Sequence, residues 1–134
     1  MLPQPLIAVA DVEASSRWFQ QLLGCTSAHG GPEYERLEHE GRLILQLHHW
    51  EVEHDHGPIG EVELPHGNGV LLWFETTEFD AAIARARAMC VEMLLPPHRN
   101  PPDGDGGPNH RECWMRDPNG YVVVLASPDG EAGP

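Results

Sequence analysis

Leu6-Ile7-Ala8-Val9-Ala10-Asp11 opens the stretch that decides the fold, and Leu22-Leu23-Gly24 closes it. The apolar run 6–10 reads as a short strand. Asp11 is then a helix N-cap, with Ala14 at the end of its first turn. Val12, Trp18, Phe19, Leu22 and Leu23 fall on one helical stripe, Trp18 and Phe19 read as core, and Gly24 supplies the C-cap. Working outward, Cys25–Ala28 and Glu33–Glu38 read as strands. After the turn at Glu40-Gly41, Arg42–His48 alternates Leu43, Leu45, Leu47 with Ile44, Gln46, His48, the period of a strand.

The same order returns from Gly69. Val70–Phe74 reads as a strand, and Thr77 as the cap of a helix carrying Phe79, Ala82, Ile83 and Ala86 on one stripe. Cys90 stands where the first half has Gly24, and Val91–Leu95 is the next strand. Pro96–Asn109 holds five Pro and three Gly, which excludes a helix or a central strand. Arg111–Arg116 and Tyr121–Ala126 form a hairpin around Asp117-Pro118-Asn119-Gly120, with Pro and Gly placed for a type I turn followed by a bulge. Each half is β-α-β-β-β and cannot bury its helix and its sheet faces alone. An α+β fold is expected, with two paired βαβββ modules forming a curved mixed sheet around a cavity. The expected limits are a single domain over 1–127, with modules 4–48 and 69–127, a linking loop 49–68 and a flexible tail 128–134. The stretches 49–68 and 96–109 are long enough to border the cavity.

Composition narrows the function. The chain has 134 residues and a net charge of -13, from 21 acidic residues against 8 basic ones, all Arg. Such acidity repels phosphate backbones and anionic lipid surfaces, which excludes nucleic-acid and membrane partners and favours, weakly, a cationic ligand. Cys25, Cys90 and Cys113 are too few and too scattered for a disulfide framework or a zinc knuckle. With no basic leader or long apolar run, the chain reads as a cytoplasmic protein.

Val9, Asp11, Ser16, Trp18, Phe19 and Leu23-Gly24, followed in order by Arg116-Asp117-Pro118-Asn119-Gly120-Tyr121, resemble the vicinal oxygen chelate superfamily of glyoxalase I, bleomycin-resistance proteins and extradiol dioxygenases. The resemblance runs over roughly residues 4–127. It implies a small-molecule cavity, often built between two chains, and hence a homodimer. In the family's enzymes four side chains on four strands hold a metal. The matching positions here are Gln4, Gln46, Leu71 and Val124. Two amides and two aliphatic groups do not hold a divalent cation against water, so no cofactor is expected at those positions. Metal-free members of the family use the cavity for binding. The leading expectation is therefore a small-molecule-binding protein of the glyoxalase/bleomycin-resistance type. The alternative is a glyoxalase-like lyase or isomerase.

Strand alternation selects the candidate pocket residues. Ile44 and His48 share a face with Gln46; Trp73 and Glu75 share one with Leu71. The hairpin adds Val122, Glu112, Trp114 and Arg116 to the face of Val124. Ligand-binding candidates are thus Gln4, Gln46, His48, Trp73, Glu75 and Trp114. Glu112 and His110 are catalytic candidates as general base, because an inward carboxylate beside Trp is expected to have a raised pKa. The competing reading of Glu112 is an ion pair with Arg116 or Arg99. His98-Arg99-Asn100 can reach the same mouth, while Cys113 alternates away from it. Five of nine His lie between His48 and His66, amid acidic residues. His48, His54 and His56 could form a displaced divalent-metal site, or the segment is a solvated acidic loop.

Overall fold

In the computed structural model the described residues are 1–51, 59–103 and 107–131. The chain forms two compact units, Met1–Pro65 and His66–Pro134. The first contains β1 (Leu6–Val9), α1 (Val12–Leu23), β2 (Thr26–Ser27), β3 (Tyr34–His39) and β4 (Arg42–His49). The second contains β5 (Leu71–Glu75), α2 (Phe79–Ala88), β6 (Glu92–Asn100), β7 (His110–Arg116) and β8 (Val122–Ala126). Each unit is βαβββ with a four-stranded mixed sheet, ordered β1-β4-β3-β2 in the first and β5-β8-β7-β6 in the second. The first strand of each runs parallel to the last, and the remaining pairs are antiparallel. Among the described residues no helix is long and apolar enough to cross a membrane.

In the first unit the caps of α1 follow from the sequence. Asp11 is extended and its Oδ1 accepts the Ala14 amide at 2.9 Å, satisfying a donor that the first turn leaves open. Gly24, at φ 67°, donates its amide to Gln20 O at 2.9 Å. The helix packs against β3 and β4, where Phe19 and Leu22 join Leu37, Leu45 and Leu47 in complete burial. Trp18 is only half-buried, set edge-on against Phe19 at 4.9 Å between ring centres.

Two expectations in the second unit need correction. Thr77 does not cap α2: the N-cap is Glu78, with no side-chain bond, and it is Thr76 Oγ1 that accepts the Glu78 amide at 3.0 Å. Nor does the strand after α2 stop at Leu95. β6 continues through Pro96 and Pro97 to Asn100, because it is the outermost strand and can lose ladder donors there. The register shifts between Leu95 and His98, then resumes with His98 opposite Glu112 and Asn100 opposite His110. That continuation carries two polar side chains onto the sheet. Cys90, at φ 55°, does take the left-handed place that Gly24 holds in the first unit. The hairpin closes as expected: Asp117 N–H bonds Tyr121 O at 2.9 Å and Gly120 turns at φ 102°.

Candidate functional site

One face of the second unit's sheet gathers most of the candidates. The register aligns three rows across β5, β8 and β7: Leu71–Val122–Arg116, Trp73–Val124–Trp114 and Glu75–Ala126–Glu112. Side chains of directly paired residues stand on the same face, so the hairpin register expected from the turn holds. The odd-numbered residues of β7 point the other way, since Arg111 lies over the Phe79 ring of α2 at 4.7 Å. Cys113, with Leu125 opposite it, is buried on that helix side, away from the candidates. On the first face Trp73 is 44% exposed, Trp114 is half-buried, and Val124 between them is fully buried.

Glu112 is the centre of the polar end of this face. It is buried, and its carboxylate faces His110 Nε2 at 2.7 Å, Trp114 Nε1 at 3.0 Å, His98 Nε2 at 3.2 Å and Asn100 Nδ2 at 3.3 Å. His110 Nδ1 in turn faces Asp129 Oδ1 at 3.0 Å. Carboxylates only accept, so the imidazole satisfies both neighbours as an imidazolium donating from each nitrogen. Its pKa moves accordingly: burial alone would lower it, but the bonds to Glu112 and Asp129 outweigh that and raise it. The Trp73 ring lies beside it, 5.8 Å between centres.

The expected rise in the Glu112 pKa is not found. Burial does push it up, but donation from His110, Asn100 and Trp114 holds it below the ordinary carboxylate value. Nor does Glu112 pair with Arg116 or Arg99. Arg116 donates to Gly120 O at 2.9 Å, and Arg99 to Asn109 Oδ1 at 3.2 Å. Asn100 reaches this mouth from β6 and bonds Glu112, while Asp129 bonds His110 from beyond the end of β8, where the strand pattern carries no signal.

The first unit places the other candidates. Gln46 and His48 share a face with Arg36 and Tyr34, which stand opposite them on β3. Gln46 Oε1 accepts the Tyr34 hydroxyl at 2.5 Å, and its Nε2 donates to the backbone oxygen of Gln4 at 3.0 Å. Gln4 itself precedes β1 and is exposed, so the chain there contributes its carbonyl. His48 is buried, with Nδ1 2.7 Å from His49 O. His54 and His56 lie outside the described residues. Among the described residues, no group of three or more His, Cys, Asp or Glu is arranged to hold a metal ion.

The opposite face of the first unit hides a carboxylate that the sequence reading passed over. Glu35 is buried and accepts from Ser16 Oγ and Ser27 Oγ at 2.7 Å each, and from the amides of Arg36, Gly30 and His29 at 2.8, 2.9 and 3.2 Å. Burial alone would raise its pKa, yet these donors bring it down to about 2.

Comparison with known families fits this architecture. Residues 2–125 match the model of the Glyoxalase/Bleomycin resistance protein/Dioxygenase superfamily. The chain belongs to that superfamily. No curated sequence matches it closely enough to count as a relative. Among solved structures it is similar to a protein of unknown function from Agrobacterium tumefaciens str. C58, at 21% identity and TM-score 0.73, covering 95% of this chain and 93% of that one. A glyoxalase-related enzyme from Fulvimarina pelagi aligns at 18% identity and TM-score 0.71, over 95% and 87% of the two chains. A lactoylglutathione lyase from Agrobacterium tumefaciens aligns at 15% and 0.69, over 95% and 92%. Identities this low speak for the superfamily fold alone.

Proposed function

We propose that this superfamily member is a small-molecule-binding protein that works without the usual metal. Its ligand is a flat, largely apolar molecule carrying a cationic group, held on the Trp73–Val124–Trp114 face of the second unit. The carrying observation is that row. Where the family's enzymes need a carboxylate, Val124 is buried in register between two indoles, giving an apolar platform. Leu71 likewise offers no donor, and the carbonyl of Gln46 is already taken by Tyr34. The donor set at the family positions therefore does not fit a divalent cation. Glu75, exposed in the adjoining row, and the net charge of -13 favour a cationic group on the ligand.

The base-catalysed alternative draws no support from the geometry. An imidazolium fixed between two carboxylates has no lone pair to accept a proton, and a carboxylate that accepts from His110, Asn100 and Trp114 is a weak base. Glu112 acts instead as a clamp that holds Trp114, His110, His98 and Asn100 in place.

Titrating the protein with N-methylquinolinium, neutral quinoline and anionic quinoline-2-carboxylate, followed by calorimetry, tests the proposal. The cation should bind tightest, and Trp114→Ala should weaken it by about tenfold. Saturable binding of none of the three, or binding unchanged in both Trp73→Ala and Trp114→Ala, overturns it.

A further inference from the structure

On the helix side of the same sheet, a groove of about 340 Å³ runs between α2 and the β6–β7 edge. Three of the chain's eight basic residues, Arg87, Arg99 and Arg111, converge on it, in a protein with no Lys and a large negative charge. Phe79, Ile83 and Pro97 give it an apolar floor, and Asp80 and His98 complete its lining. Arg111 is fixed in place, its guanidinium over the Phe79 ring and bonded to Asp80 at 2.8 Å and Glu131 at 2.7 Å. Its charge is thereby offset, and it serves as a rigid wall. Arg87 is different. It stands exposed near the end of α2 and makes no ion pair with any described residue. Arg99 lines the groove from β6, with Nη2 donating to Asn109 Oδ1 at 3.2 Å.

We infer that this groove is a second binding site, for a small organic monoanion with an apolar body, of the arenecarboxylate class. The carboxylate would be held by Arg87 with Arg99, and the ring would lie against Pro97 and the exposed edge of Ile83, beside the Arg111–Phe79 stack. Three observations together select that class. The volume suits a small molecule. Guanidinium groups match the planar two-oxygen geometry of a carboxylate. The apolar floor would gain nothing from an inorganic anion. The site lies on the sheet face opposite the Trp73–Trp114 platform and takes the opposite charge, so it stands or falls independently of the function proposed above.

Backbone amide NMR with benzoate, its cationic analogue benzylamine, and inorganic phosphate tests the inference at about 0.15 M salt, where the protein's long-range repulsion of anions is screened. Benzoate should move the resonances of Phe79, Ile83 and Arg99 saturably, with benzylamine and phosphate leaving them in place. Arg87→Ala, at an exposed position that should not disturb folding, should weaken benzoate by about tenfold, and the Arg87→Lys variant should recover part of that. No saturable shift with benzoate overturns the inference. So does equal binding of benzylamine or phosphate, or binding unchanged in Arg87→Ala.

Discussion

Replacing Glu35 by Gln should cost the protein about 3 kcal/mol at neutral pH. The side chain keeps its size, so the change isolates the charge and one acceptor. In the native protein the carboxylate receives five hydrogen bonds, two from serine hydroxyls and three from backbone amides, and its pKa stands at about 2 against an ordinary 4.5. At about 1.4 kcal/mol for each tenfold change in proton affinity, that difference is worth about 3 kcal/mol of folding stability. A depressed carboxyl contributes fully above its unfolded value. The contribution therefore holds above about pH 4.5 and is lost as pH falls toward 2. The Gln amide adds a loss of its own, since its NH2 would face hydroxyl and amide donors. Urea unfolding of wild type and Glu35→Gln between pH 2 and 7 measures both effects. The variant should have a lower midpoint at pH 7 and a flatter pH profile below 4.5. A variant as stable as wild type at pH 7, or one with an unchanged acid profile, would mean that the buried Glu35 charge does not stabilise the fold.

Other outcomes follow from the second unit. His110 is raised above its ordinary value, so its share of stability is complete below about pH 6.5 and declines as pH rises through its folded pKa. NMR titration of its ring protons should give a midpoint above 6.5 that drops in Glu112→Gln; a midpoint at or below 6.5 in wild type contradicts the clamp. Gly67→Ala should destabilise by about 1–3 kcal/mol, because the residue sits at φ +68° and a Cβ would come 2.6 Å from Tyr121 Cδ1. A thermal melt matching wild type would count against that close approach.

Much of this architecture is legible in the sequence where local chemistry determines it. Asp11 and Gly24 mark the ends of α1, and the Pro118–Gly120 turn sets the β7–β8 register, which then places Trp114 beside Val124. Less legible are features that depend on what lies across a strand pair. β6 passes through Pro96 and Pro97 because it is an edge, and edge position is a tertiary fact. His98 and Asn100 reach Glu112 by that route, which is why the direction of the Glu112 pKa could not be read from Trp114 alone. Glu35 had a usable signal: it lies two residues from the buried Leu37, on the same strand face. What the strand pattern does not supply is the set of serine and amide donors, which come from α1, β2, the β2–β3 connection and the neighbouring Arg36 amide.

In the proposed function the Trp73–Val124–Trp114 row receives the ligand. Indole N–H resonances of the 15N-labelled protein, recorded during titration with N-methylquinolinium, test it most directly. The Trp73 and Trp114 indoles should shift saturably with one common affinity, while Trp18, set edge-on against Phe19 on α1, stays put. Saturable binding that leaves both the Trp73 and Trp114 indoles unmoved would contradict it.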